Sequence, residues 1–163
     1  MSLTPQIKNE FKRRVFDESY ERIFICLNLL SQEQVWYSPN QHTNSIGNLI
    51  LHLIGNARQW VVGSFGNEKT IRKRSEEFIP GQNISKNDLK IMLAELKSKM
   101  LPLIDGLTEN ELNKSYNVQV YNESGLDILI HVIEHFSYHT GQIALLTKLI
   151  ADNSLNFYDY PLE

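Results

Sequence analysis

The amino-acid sequence predicts an all-α protein, a four-helix bundle with a long loop between the second and third helices. Three observations predict it: apolar residues recur at helical spacing over four long stretches, capping residues open those stretches, and no stretch of similar length alternates with the period of a strand. At 163 residues the chain reads as one domain, 1–163, large enough to bury a core.

The first helix opens at Thr4-Pro5, read as an N-cap followed by proline at the first helical position. Ile7, Phe11, Val15, Ile23, Leu27 and Leu30 then carry it from about residue 5 to about residue 31. "SQEQVWYSPNQHT" holds turn-forming residues, and Thr43, Asn44 or Ser45 caps the second helix. Its apolar set is Ile46, Leu49, Ile50, Leu53, Trp60 and Val61, and Gly63 and Gly66 mark its end. Residues 65–84 mix charge, glycine and proline without clean periodicity and read as a loop. Ser85 with Asp88 caps the third helix, in which Leu89, Met92, Leu93, Leu96 and Met100 form the apolar stripe until Pro102 and Gly106 end it near residue 105. Thr108 and Glu111 suggest one short helical turn, and "YNVQVYN" a short extended piece. The fourth helix runs from near Gly125 to about Asp152 through Leu126, Leu129, Val132, Ile133, Phe136, Ile143, Leu146 and Ile150. The tail "NSLNFYDYPLE", with Phe157, Tyr158 and Tyr160, is aromatic enough to pack on its own bundle or to serve a homodimer.

Composition removes several classes of function. Apolar residues at 42% and charged residues at 21% fit an ordinary globular protein and exclude a disordered one. The 16 basic and 19 acidic residues are spread along the chain for a net charge of −3, so no basic face awaits a nucleic acid. Lys12-Arg13-Arg14 and Arg72-Lys73-Arg74 are short, closely followed by acids, and read as solvated. Cys26 is the single cysteine, so no internal disulfide forms, and its apolar surroundings suggest a buried thiol. The cytoplasm fits best. The N-terminal stretch lacks an apolar signal core and nothing is long and apolar enough to cross a bilayer, so no membrane association is expected.

"HVIEHFSYHTGQI", residues 131–143, places His131, His135 and His139 at intervals of four within an apolar helix. Residues four apart differ by about 40° around a helix, so His135 and His139 share a face and two imidazoles can converge on one ion. His52, interrupting the second apolar helix in "NLILHLIGNARQW", is the best third ligand, because bundles build metal sites from side chains on facing helices. Three neutral imidazoles leave coordination positions open, as in catalytic zinc sites. A histidine in an apolar helix also serves as a hydrogen-bonded core residue, and for His52 alone that reading is the stronger. His42, beside Gln41 and Thr43, reads as solvated.

The same run spells H-x-x-E-H from His131 to His135, the inverted zinc-protease signature with Glu134 as base. That chemistry needs a downstream acidic ligand, yet only 28 residues follow His135 and their acids lie in the tail, so Glu134 reads as a surface or supporting carboxylate.

"NLILHLIGN" on the second helix and "HVIEHFSYHTGQI" on the fourth resemble the DinB-like, or YfiT-like, superfamily of metal-binding four-helix bundles. "NSIGNLILHLIGNARQW", "RKRSEEF" and "HFSYHTGQI" resemble one uncharacterised bacterial subfamily, and the likeness covers nearly the whole chain. The resemblance implies a divalent metal, nickel, zinc or iron, bound by His52, His135 and His139. His131 matches a histidine found in several relatives, one turn before the ligand pair, where it lines the core or supports the site. The resemblance also implies either a hydrolase or a thiol-dependent transferase or isomerase, acting on a small-molecule substrate with a low-molecular-weight thiol as partner. A non-enzymatic metal-binding or ligand-binding bundle with a stress-related role is the alternative.

Other residues fall near the presumed ligands. Asn48, His52, Asn56 and Gln59 lie on a narrow polar stripe of the second helix, and Asn48 and Gln59 read as its wet face. Asn56 and Gln142 are candidates to hydrogen-bond a ligand or substrate beside the ion. Tyr138 reads as an interhelical packing residue whose hydroxyl is also a candidate for substrate contact, and Trp60 and Phe136 read as core. Arg72 and Arg74 would suit an anionic substrate, although solvated loop charges are the plainer reading.

Overall fold

The computed structural model describes residues 2–66 and 71–158. The sequence expectations for Tyr160 and for part of the 65–84 loop lie outside the described residues.

Helix α1 spans residues 4–29 without a break, as Thr4–Lys12, a π-helical stretch Arg13–Tyr20, and Glu21–Leu29. The π-type winding is visible in Ser19, whose Oγ donates to the Arg14 carbonyl five residues back at 2.8 Å. Thr4 lies inside the helix rather than capping it; its backbone N–H donates instead to Ser2 Oγ at 3.3 Å. A one-turn helix not anticipated from sequence, α2 (Gln32–Val35), follows on a capping box between Ser31 and Gln34.

Helix α3 spans residues 46–65 as Ile46–Ala57, a second π-helical stretch Arg58–Val62, and Gly63–Phe65. Of the expected caps the structure selects Ser45, whose Oγ accepts from the Asn48 N–H. Every residue of Ile46–Ala57 except Gly55 is buried, so α3 is the central helix of the bundle. The long connection that follows is not featureless, since Arg74–Phe78 forms a 3-10 turn.

Helix α4 (Lys86–Gly106) is capped by the predicted Ser85–Asp88 box and carries Pro102 within its length, ending one residue from the expected position. After α5 (Glu109–Asn113), β1 (Ser115–Val118) and β2 (Tyr121–Ser124) pair as an antiparallel hairpin, with Ser115 opposite Ser124 and Val118 opposite Tyr121. This corrects the reading of a single extended piece; Gln119 takes a left-handed φ of 56° that closes the two-residue turn. Helix α6 (Gly125–Ala151) starts from a capping box between Ser124 and Asp127 and holds the histidine run. Gly125 is required where it stands, because a Cβ there would overlap the Glu111 carbonyl oxygen.

The long helices α1, α3, α4 and α6 share one hydrophobic core. Tyr20 of α1 stacks on Phe136 of α6 at 5.7 Å with an 18° interplanar angle, and Phe16 meets Tyr20 edge-on at 5.6 Å. Cys26 is fully buried in this core, as its surroundings suggested. The described part of the tail folds back on α1, where the Arg22 guanidinium lies 5.7 Å from the Phe157 ring centre. Among the described residues, no helix is long and apolar enough to cross a membrane.

Phe136 has no solvent exposure and Phe136→Ala should lower stability by about 3–5 kcal/mol, read as a fall in the urea midpoint with an unchanged slope. A loss under about 1 kcal/mol would mean that the α1–α6 aromatic stack is not part of the core.

Candidate metal centre

The polar stripe of α3 is buried at Asn48, His52 and Asn56 and half-buried at Gln59, and the segment running from Ile71 to Ile79 supplies partners along it. Asn48, 4% exposed, donates through Nδ2 to the carbonyls of Glu77 (2.9 Å) and Ile79 (3.0 Å), while its Oδ1 accepts from Ser45 Oγ (2.6 Å). Gln59, further along the stripe, accepts from Arg72 Nη1 at 3.2 Å and from Gln119 Nε2 at 2.7 Å. The expectation that Asn48 and Gln59 form a solvated face is therefore corrected. A buried amide needs partners, and the covering segment supplies them.

His52, between them, is 5% exposed and places Nδ1 2.9 Å from Glu77 Oε2. A carboxylate only accepts, so Nδ1 carries the proton and the Nε2 lone pair faces the opposite way. Arg72 holds the same carboxylate in a two-pronged grip, donating from Nε to Oε1 at 2.6 Å and from Nη2 to Oε2 at 2.8 Å. Its Nη2 stands 3.1 Å from His52 Nδ1 because both donors converge on Oε2. The Arg72 side chain is 7% exposed, so the expectation that it is solvated is also corrected. Arg74 is exposed, with its guanidinium 5.9 Å from the Phe78 ring centre.

Room for this arrangement comes from Gly55. A Cβ at that position would overlap the Glu77 carboxylate and come within 3.1 Å of Arg72 Nε. Burial works to raise the Glu77 pKa, but the hydrogen bonds from Arg72 and His52 prevail and hold it below the usual carboxylate range.

Across from His52, α6 presents His135 and His139, and one ring nitrogen from each of the three lies within 4.8 Å of the other two. His135 Nε2 is 3.0 Å from His52 Nε2. His139 donates from Nδ1 to Gln142 Oε1 at 2.7 Å, which leaves its Nε2 lone pair free as well. Two nitrogens each about 2.1 Å from one ion stand about 3.0 Å apart at right angles and about 3.4 Å apart in a tetrahedron. The donor set suits a divalent ion, and the 3.0 Å between His52 and His135 is the separation of two ligands on one ion.

His131, one turn before His135, stacks on Trp60 at 3.7 Å, and its Nε2 is 3.2 Å from Asn56 Nδ2. Asn56 thus contacts His131 rather than any member of the trio, and its Oδ1 is buried without a protein partner. Trp60 and Phe136 are buried, as expected. Tyr138 is 63% exposed on the outer surface of α6, which corrects its reading as a packing residue. Glu134 and His42 are both exposed.

Sequence reasoning missed Glu77. The available signals were the buried polar stripe, which demands partners, and the "RKRSEEF" stretch that carried part of the family resemblance.

Burial pushes His135 down to about 3, helped by the neighbouring His139, His52 and His131 and by the Arg72 charge. Burial also lowers His139 and His131, against the opposing effects of Gln142 on the first and Glu134 on the second. His135 and His139, the two presumed ligands on α6, are thereby kept neutral at pH 7, the state that ligation requires.

Fold and cluster together define a helical bundle with a three-histidine centre joining its central and last helices. The chain belongs to the family described as protein of unknown function DUF1572, whose model matches residues 8–161. Among solved structures it is similar to a conserved protein from Enterococcus faecalis, with 15% identity, a TM-score of 0.71, and coverage of 94% of this chain and 99% of that one. It is also similar to a DinB-like protein from Bacillus subtilis (16% identity, 96% of each chain, TM-score 0.67). A DinB-like protein from Bacillus cereus matches at 13% identity over 82% of this chain and 87% of that one, with a TM-score of 0.63. These likenesses show that the fold is DinB-like. No curated protein matches the chain.

Because the folded chain keeps these imidazoles neutral, it binds fewer protons than the unfolded chain from about pH 6.5 down to the His135 value of about 3. The associated stability is complete above that window and is lost as pH falls through it, and the lowered Glu77 pKa acts in the same direction. Urea midpoints of chelator-treated protein should therefore fall steadily below about pH 6.5, and less steeply for His135→Gln. A profile that is flat, or equally steep in the variant, would contradict the assignment.

Proposed function

We propose that the chain is a metal-dependent enzyme in which His52, His135 and His139 hold a divalent ion and leave positions open for a small-molecule substrate. The observation that carries this reading is the convergence of three ring nitrogens, two with their opposite nitrogen committed to a protein acceptor, Glu77 for His52 and Gln142 for His139. A divalent ion held there acts as a Lewis acid and favours the deprotonated form of a water or thiol that joins it.

The chain's own residues favour thiol-dependent transfer or isomerisation over hydrolysis. A hydrolase gains from a free general base beside the attacking water, but Glu77 is bound by Arg72 and His52, Glu134 is exposed on the outer surface, and His131 Nε2 faces Asn56. A thiol, with a pKa of about 8.5, needs far less help to ionise than water does. Glu77 fixes the tautomer and direction of His52, Gln142 does the same for His139, and Arg72 balances the buried carboxylate.

Protein purified without tag or chelator should carry near-stoichiometric metal by mass spectrometry. His52→Ala, His135→Ala and His139→Ala should lose it and His131→Ala should keep it. Glu77→Gln and Gly55→Ala, which release or displace the carboxylate, should weaken metal affinity about 10–100-fold in competition with a chromophoric chelator. A wild type that binds no metal when supplied with it would end the enzyme reading. For the thiol reading, cobalt-substituted protein titrated with 2-mercaptoethanol should develop a thiolate-to-cobalt charge-transfer band; absence of the band at saturating thiol would return hydrolysis to first place.

A further inference from the structure

We propose that the cavity on the far side of the Arg72–Glu77 pair is a binding site for an organic carboxylate with an apolar body, separate from the histidine centre. The cavity measures about 560 Å³, within the range of small-molecule sites. None of the three histidines is among its described lining residues. It lies instead against another face of α3, where Leu51, Ile54 and Arg58 follow one another at helical spacing. Ile84 and Met92 complete an apolar wall.

The charges around it are uneven. The described lining holds Arg58, Arg72 and Lys73 against Glu76 and Glu77, a net charge of +1. Arg72 is committed to Glu77, and Lys73 Nζ lies 3.0 Å from Glu76 Oε1. Arg58 is exposed, and its side chain makes no ion pair or hydrogen bond among the described residues. A free guanidinium at the end of an apolar wall matches a ligand with one carboxylate and a hydrocarbon body. The planar fork takes the carboxylate, and Leu51, Ile54, Ile84 and Met92 receive the rest. Glu77 belongs to this wall and also accepts from His52, so one buried side chain separates this site from the histidines.

The test is isothermal titration of the full chain with 4-phenylbutyrate and its uncharged analogue 4-phenylbutanamide, with thermal melts confirming that each variant folds. Saturable one-site binding of the acid is expected, weakened about tenfold by Arg58→Gln and abolished by Met92→Glu, which puts a like charge in the cavity. The amide should bind more weakly and be indifferent to Arg58→Gln. His135→Ala and chelator treatment should leave binding of the acid unchanged. No saturable binding, or binding unmoved by Arg58→Gln, would overturn the proposal. Loss of binding in His135→Ala or with chelator would also overturn it, by placing the carboxylate at the histidines, whereas a failure of the metal reading would leave the expected result intact.

Discussion

A carboxylate taken out of water has to be paired, and Glu77 is paired on both sides. Arg72 grips it with two hydrogen bonds from its own segment, and His52 donates to it from the central helix. Removing either partner leaves a charge buried at 9% exposure, so the carboxylate holds the long connection and α3 to one arrangement. The same bond decides which nitrogen of His52 is protonated, and with it where the other nitrogen points.

The surrounding structure follows from this constraint. Gly55 is the one position of Ile46–Ala57 that is not buried, and it is where the carboxylate needs space that a side chain would fill. Asn48 and Gln59 extend the attachment along α3 through the backbone and through Arg72. The segment Ile71 to Ile79 thus covers the central helix while steering a histidine through it. Opposite, α6 needs only its own helical repeat to bring His135 and His139 together, and Gln142, three residues on, orients the second of them.

How much of this was legible in the sequence depends on how far apart the interacting residues lie along the chain. Local codes were readable: the Ser85 and Thr108 capping boxes, the apolar stripes of the long helices, and the spacing of His135 and His139. The role of His52 was partly readable, since a lone imidazole in an apolar helix asks for a partner without naming one. Glu77 and Arg72 were not, because their burial depends on 25 and 20 residues of separation from His52 being closed by a connection with no periodicity of its own. Read alone, "RKRSEEF" is a run of charges that water could satisfy. The polar stripe on α3 was visible but assigned to solvent, because composition does not distinguish a face covered by water from one covered by another part of the chain.

The central claim is that three imidazoles and no other protein side chain form the centre. X-ray absorption at the zinc edge of zinc-loaded protein in thiol-free buffer tests it most directly. The account predicts three imidazole nitrogens at about 2.0–2.1 Å, with the remaining shell made of light atoms from solvent. A sulfur scatterer at about 2.3 Å, or fewer than three imidazoles, would contradict it.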